Sequence, residues 1–582
     1  MAAPIVAAPR SSDSKLAPEL IARRSTAGPL DKARVIVLMD GGAVESGRDR
    51  ARDLGGAPGR ALGLVHGFVA TLDQDSIETL AADPHVRRIT PDRKVRPSME
   101  FAGPAVGAPQ LSRPEGLTGA GVTIAVIDSG IYPHEDLPGL IGYVDFLEPN
   151  APFSRDRYGH GTHVAGIIAG QAHPDPSAEG LAFGGIAPGA SLISLRVLDA
   201  NGEGYVSDVI SAVNWAVSNK DLYGIRILNL SLGHPVAEPA SLDPLARACE
   251  EAWRDGLLVV ASAGNLGVYG NGTITSPAND PLLLAVGAAD DMASADPSDD
   301  AIAPYSSRGP SLFDLYVKPD LVAPGHALVS LRSPHSSLDV QHPEARVSLG
   351  DGSAHGANEP RYFRMSGSSM AAAVVSGAAA LMLEGDPDLT PDTIKARFMA
   401  AARRMHTDSV FDRGAGELDL SASLAFPGSA LLAVSPEASE EGGLVELHLA
   451  SDLWSSDGEW TLEELYGDPD QWNTALIVDN GLLADPCVTG NGLIWQGLGS
   501  EGLIWQGNSG LSTDTVSNEG LIWQGNSGLS TDTVSNEGLI WQGVMSESTC
   551  TSQAGQIWQG GLIWQGQQTS GEGLIWQGRV GF

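Results

Sequence analysis

The chain reads as an α/β protein, a three-layer sandwich around a parallel sheet, preceded by a small α+β unit and followed by a repeat tail. Three observations predict this. Between Val122 and about Phe426, short continuous apolar runs alternate with segments of helical spacing. Strands that are apolar throughout, and not alternately, are what a parallel sheet covered on both faces requires. Ahead of this lies a β-α-β-β-α-β order compressed into some 60 residues, and behind it a tetrapeptide recurs to the end of the chain.

Residues 1–33 are rich in Ala, Pro, Ser and Arg without periodicity and are expected to be disordered. In 34–97, RVIVLM reads as a strand, SGRDRARDL as a helix and LGLVHGFVATL as one or two strands. SIETLAAD reads as a helix capped by Asp75 or Ser76, and VRRITPDRKV as a closing strand. Residues 98–116, with Pro104, Pro109 and Pro114, form a linker. In 117–428, VTIAVID, SLISLRVL, RILNLSL, LLVVASAG and LLLAVGA are buried strands, and THVAGIIAG, VSDVISAVNWAVSN and DPLARACEEAWRDG are helices. Residues 429–490 are an acidic accessory segment with material for a few strands or a short helix, and 491–582 are the repeat region. There IWQG recurs at Trp495, Trp505, Trp523, Trp541, Trp558, Trp564 and Trp576, and EGLIWQGNSGLSTDTVSN occurs unchanged at 501–518 and 519–536. Three readings of this tail stay open: a small β-solenoid burying one Leu-Ile-Trp unit per turn, a flexible tract, or exposed tryptophans that grip sugars or partner proteins.

Composition narrows the function. Against 35 basic side chains stand 71 acidic ones, a net charge of −36, which argues against nucleic acid as the main partner and against adsorption to anionic membranes. Three cysteines cannot staple a scaffold, so an ordinary core must hold the fold. No apolar run suggests a membrane span. The stretch MAAPIVAAP lacks the basic region and apolar core of a secretory signal, while the acidic, lysine-poor surface fits salty or extracellular surroundings.

Three residues in 117–428 sit at the mouths of elements. Asp128 ends VTIAVID, where the ligand crevice of an open parallel sheet lies, although an Asx turn would use the same residue. His160 opens GHGTHVAG before a small-residue helix. A helix-terminal or core role, or a metal pair with His163, would account for it equally, but no third ligand cluster accompanies it. Ser369, in RMSGSSMAAAVV, leads from a Gly-Ser turn into a helix and reads alone as an N-cap. Together, the order Asp, His, Ser separates this chain from the other serine-hydrolase orders.

VTIAVIDSG, GHGTHVAG and SGSSMAA resemble the three active-site blocks of the subtilases, the subtilisin-like serine peptidases. LNLSLG, VVASAGN, YSSRGP, KPDLVAPG and GAGELDL resemble the same family in the expected order. The resemblance covers about 117–425 and implies a serine endopeptidase with Ser369 as nucleophile, His160 as general base and Asp128 orienting the imidazole. It implies Asn265 as an oxyanion donor beside the Ser369 N–H, and Ser231-Leu232-Gly233 and Ser262-Ala263-Gly264 as the segments that grip an extended peptide. Two positions depart from the family pattern: Ala373 stands where proline is usual, and Ser368 where threonine is. Thr275, near the base of the pocket for the residue before the scissile bond, would shorten it and favour small side chains.

Residues 34–97 resemble the propeptide of these enzymes, chaperone and inhibitor in one, so the resemblance implies a zymogen that cuts itself between Arg96 and Thr118. No cofactor is needed for the chemistry. Structural calcium is common in the family, and Asp136 is one candidate ligand, although 171–184 does not clearly supply the rest. Cys249 reads as an inert buried thiol, while Cys487 and Cys550 could pair if the protein is exported, which the sequence does not decide. The expected partners are protein or peptide substrates, the protein's own propeptide and, through the repeats, cell surface or polysaccharide, with a secreted or cell-surface location. The rival reading is a surface or matrix binding protein whose repeats carry the role.

Overall fold

The computed structural model describes residues 12–25, 28, 31–99, 116–171, 184–292, 294, 298–347, 360–405, 409–441, 444–449 and 461–466, together with the backbone of strands between 494 and 559. The N-terminal unit is built on β1 (Lys32–Met39), β2 (Ala57–Leu62), β3 (Gly67–Asp73) and β4 (Val86–Pro91), ordered β2-β3-β1-β4 with antiparallel pairs throughout. Helices Val44–Asp53 and Gln74–Ala81 complete the expected order. The second helix is capped by Asp73, whose side chain accepts from Ser76 N–H at 2.9 Å, and not by Asp75 or Ser76. The helix begins two residues earlier than the sequence pattern suggests, at Gln74, so the last acid of the strand becomes the cap.

The expectation of disorder before residue 34 is corrected for 12–25. This stretch forms short helical turns, with Pro18–Ala22 as an α-helix, and buries Leu16 and Leu20 in the core of the N-terminal unit against Ile89 and Val35. Two apolar side chains four residues apart suffice to dock a short segment whose composition otherwise reads as disordered.

After β4 the chain turns into β5 (Lys94–Pro97), which abandons this sheet for the neighbouring domain. That domain carries β6 (Thr123–Asp128), β7 (Leu140–Asp145), β8 (Ser191–Arg196), β9 (Gly204–Tyr205), β10 (Ile225–Leu230), β11 (Leu232–Pro235), β12 (Leu258–Ser262), β13 (Thr275–Ser276), β14 (Leu284–Asp290), β15 (Ala301–Ile302) and β16 (Leu321–Pro324). The main sheet runs β15-β14-β12-β10-β6-β8-β7, with β16 beside β14, and every pair is parallel except β14–β15. β6 and β12 are buried at every residue, as their unbroken apolar runs demand. Helices Val206–Tyr223 and Pro244–Arg254 pack together over the sheet, as do His160–Ala169 and Ser368–Gly385. By length and composition Ser368–Gly385 could cross a membrane, but 89% of it is buried inside this domain. Its Gly377 lets it approach the neighbouring helix closely, where a Cβ would lie 2.6 Å from Ile186 Cβ and 3.4 Å from the Ile168 carbonyl oxygen.

The boundary expected at 428 shifts in packing terms. Ala430, Ala433, Ala438, Leu447, Leu465 and Tyr466 join a core cluster with Phe411 and Met399, so the described parts of 429–466 belong to the peptidase body. In the tail, Glu501–Gln506 pairs parallel and in register with Glu519–Gln524, which pairs with Leu521 opposite Leu539 and onward to Trp541 opposite Trp558. Cys487 and Cys550 lie outside the described residues. Cys249 is fully buried, and burial pushes its thiol well above the usual range, as an inert core thiol requires.

Candidate active site

Asp128 is the last residue of β6, and His160 the first of its helix. Both are fully buried, and His160 Nδ1 lies 2.8 and 2.9 Å from the two carboxylate oxygens of Asp128. A network missed by sequence reasoning sets this contact. Asp156 accepts from Gly159 N–H at 2.7 Å, Thr162 N–H at 2.9 Å and Thr162 Oγ1 at 2.7 Å, filling the orphan donors at the start of the histidine helix. Ser129 stands between the two acids, 3.2 Å from Asp128 Oδ1 and 2.9 Å from Asp156 Oδ1, and its backbone N–H donates to Asp128 at 2.7 Å. Burial pushes the Asp156 carboxyl above its usual range against the pull of these donors. An acid four residues before the histidine was the available signal.

His163 is not half of a metal pair. Its Nε2 donates towards the carbonyls of Phe363 and Leu328, at 3.0 and 3.1 Å, and burial pushes its pKa down to about 3, so it stays neutral. Among the described residues no group of three His, Cys, Asp or Glu side chains is placed to hold a metal. Asp136 does not fit a calcium ligand either. It is fully buried, with Arg361 Nη2 at 3.1 and 3.2 Å from its oxygens and Tyr362 OH at 3.4 Å, so a guanidinium stands beside the carboxylate that a cation would need. The phenol is in turn pushed up to about 12 by burial beside that acid.

Ser369 is the second residue of the Ser368–Gly385 helix and fully buried. Its Oγ donates to the Ser231 carbonyl at 2.9 Å, and His160 Nε2 has no hydrogen-bond partner among the described residues. A buried polar chain fixes the helix start: Ser376 Oγ donates to Asn229 Oδ1 at 2.8 Å, Asn229 Nδ2 to Ser231 Oγ at 2.9 Å, and Ser231 Oγ to the Ser369 carbonyl at 2.9 Å. Asn265 Oδ1 accepts from Ser368 N–H at 3.0 Å, which leaves its Nδ2 buried and unpartnered among the described residues.

The cleft beside these residues is filled by the protein's own chain. β5 forms the third strand of a small antiparallel sheet ordered β13-β11-β5-β9, with Leu232 opposite Pro97, Gly233 opposite Arg96, Val95 opposite Gly204 and Lys94 opposite Tyr205. The peptide's second wall is thus Gly204–Tyr205, a two-residue strand too short for a sequence pattern. Ser262-Ala263-Gly264 borders only its end, where Ser262 Oγ lies 3.2 Å from Ser98 Oγ. Thr275 sits behind Gly264, bound through Oγ1 to the Ala263 carbonyl at 3.2 Å.

Beyond β5, Ser98 N–H lies 3.1 Å from Ser369 Oγ and 3.3 Å from the Ser231 carbonyl, while Ser369 N–H donates to the Ser98 carbonyl at 3.2 Å. The backbone passes so close that a Cβ on Gly367 would lie 2.4 Å from that carbonyl oxygen, 2.9 Å from Met99 Cα and 3.0 Å from Asn265 Nδ2. Only glycine leaves room there. The Ser98–Met99 peptide bond therefore lies across the serine.

Comparison with known proteins agrees with this architecture. The family model described as the subtilase family matches residues 119–417, and one described as peptidase inhibitor I9 matches 61–98. The chain is 40% identical over 319 residues to serine protease AprX of Bacillus subtilis, a match that covers 53% of this chain and 68% of AprX. It is 31% identical over 372 residues to subtilisin E of the same species, covering 63% of this chain and 83% of that one. The crystal structure of fervidolysin from Fervidobacterium pennivorans, described as a keratinolytic enzyme related to subtilisin, superposes with a TM-score of 0.51 at 22% identity. That likeness covers 68% of this chain and 61% of the other, and speaks to the fold. An I9-type inhibitor segment laid into the cleft of a subtilisin-like sheet leads to one assignment: the chain belongs to the subtilase family and is a serine peptidase.

Proposed function

We propose that the protein is an exported endopeptidase made as a zymogen, that Ser369, His160 and Asp128 carry its chemistry, and that its first substrate is its own Ser98–Met99 bond. The observation that carries this reading is the Ser98 carbonyl held by the Ser369 N–H beneath a strand clamped on both edges. Rotation of the Ser369 hydroxyl from the Ser231 carbonyl towards His160 Nε2 lets the imidazole take its proton as Oγ attacks the Ser98 carbonyl carbon. The Asp128 carboxylate then stabilises the imidazolium. Negative charge on the carbonyl oxygen falls to the Ser369 N–H at a helix N-terminus and to Asn265 Nδ2, a buried donor with no other partner among the described residues. The Ser98–Met99 bond breaks as the imidazolium returns its proton to the Met99 amine, and water hydrolyses the Ser98 ester by the same route. External polypeptides would enter as the strand that β5 imitates. No step calls for a metal or cofactor.

Intact mass and N-terminal sequencing of wild type beside Ser369→Ala test this, together with a fluorophosphonate probe. A new N-terminus at Met99 and labelling in wild type alone are expected. An unprocessed, unlabelled wild type would refute the reading.

A further inference from the structure

We infer that Glu203 is a specificity residue that selects a basic side chain three residues before the scissile bond, with a second basic residue two positions further back. The inference rests on the proposed cleavage between Ser98 and Met99, which numbers Arg96 third and Lys94 fifth from the cut. Both side chains converge on one carboxylate: Lys94 Nζ lies 2.6 Å from Glu203 Oε2, and Arg96 Nη2 pairs with Oε1. An extended strand projects alternate residues to one side, so the third and fifth positions share a face while Val95 between them is fully buried on the other.

The carboxylate is held out to meet them. Glu203 ends a tight turn in which Asp199 Oδ1 accepts from Asn201 N–H at 2.8 Å and Glu203 N–H at 3.0 Å, and Asp199 N–H donates to the Glu203 carbonyl at 2.9 Å. Gly202 adopts φ +73, and a Cβ there would lie 2.6 Å from the Tyr158 ring, so the turn packs directly against Tyr158, whose OH lies 3.8 Å from Met99 Sδ. The next residue after Glu203 begins β9, the strand that pairs with the bound peptide. Glu203 is therefore fixed to the same backbone that binds substrate, and the two cations hold its carboxyl below the usual range. The substrate class that fits is an extended, basic polypeptide of pattern Lys/Arg-Val-Lys/Arg-Pro-Ser. The protein's overall net charge of −36 favours the same partner at long range.

The test uses the self-processed enzyme, counted by fluorophosphonate titration, and fluorogenic peptides spanning Lys-Val-Arg-Pro-Ser-Met. In one variant peptide the Arg is Glu, and in another the Lys is Glu. Wild type should prefer Arg to Glu at the third position by about fivefold in kcat/KM, the scale of solvent-exposed ion pairs. That ratio should collapse towards one in 1 M salt. Glu203→Gln should flatten the preference and Glu203→Arg should invert it. Equal turnover of the Arg and Glu peptides by labelled enzyme, or a ratio unmoved in Glu203→Arg, overturns the role of Glu203 alone. Failure to cleave any peptide, with no labelling, overturns the triad assignment beneath it.

Discussion

The peptidase body and the N-terminal unit lying on it differ in how much apolar core holds each. The body is built on one continuous apolar cluster reaching from Ile124 and Leu192 through Val260 to the alanines of the Ser368–Gly385 helix. The N-terminal unit has a small core of its own around Val35, Phe68, Leu80 and Ile89. Its grip on the body is mixed: Ile36, Leu38, Leu62, Val65 and Val69 on one face of its sheet join the body's apolar cluster, and polar contacts surround them. Glu238, 2% exposed, receives Arg88 at 2.5 Å, Arg93 at 2.8 Å and Thr90 at 3.0 Å. Asp92 and the Arg93 carbonyl cap the peptidase helix Val206–Tyr223, which has no side-chain cap of its own: Asp92 accepts from Ser207 N–H and the carbonyl from Val206 N–H, both at 2.9 Å. A body with one large continuous core survives loss of a partner, whereas an interface of a few apolar side chains ringed by caps and ion pairs can be released once the connecting bond is cut.

That contrast can be broken at its catalytic end first. Ser369→Ala should abolish processing, leaving a full-length band indefinitely. Asn265→Ala should retain processing but slow peptide hydrolysis by about 10²–10³-fold in kcat at similar KM, checked by steady-state kinetics. At the interface, Glu238→Ala leaves Arg88 without its acid and Arg93 with Glu19 alone, a loss of about 3 kcal/mol. The cleaved N-terminal unit should then dissociate early, seen as a shortened lag before activity towards added peptide. Asp92→Ala should do the same more weakly, by about 1 kcal/mol, the worth of a helix cap.

Inside the cleft, Thr275→Gly should deepen the space behind Gly264. A library varied at the residue before the cut should shift from Ser and Ala towards Phe and Tyr, while a wild-type preference for Phe or Tyr would contradict the short pocket. The smallest effect concerns pH. The pKa of His163 is depressed in the folded state, so the unfolded chain takes up the proton first. Its contribution is intact above about pH 6.5 and lost as pH falls towards about 3, at up to ~1.4 kcal/mol per unit. Thermal unfolding of Ser369→Ala between pH 7 and 4 should show that decline, reduced when His163→Gln is added.

Strong local patterns were legible. The apolar runs of β6, β8, β10, β12 and β14 are buried on both faces and carry their own signature, but β7 was missed because its side chains alternate between half-buried and exposed at the sheet's edge. Asp128, His160 and Ser369 announced themselves by sitting at element ends in a rare order. Asp156, Ser129 and Asn229, which orient them, look in sequence like ordinary turn and strand residues, because a hydrogen bond to a distant helix leaves no local periodicity.

By itself the sequence determined the layered α/β architecture, the small α+β unit before it and the three side chains proposed to react, since burial period and element-end chemistry are local properties of the chain. Tertiary structure alone decided the rest. The end of the N-terminal unit becomes a strand of the peptidase sheet, the Ser98–Met99 bond lies across Ser369, a guanidinium stands at Asp136, and Lys94 and Arg96 meet Glu203. Each of these depends on charges or backbone donors brought together across tens to hundreds of residues, where pairing is fixed by the geometry of the assembled sheet and by the cost of leaving a buried polar group alone.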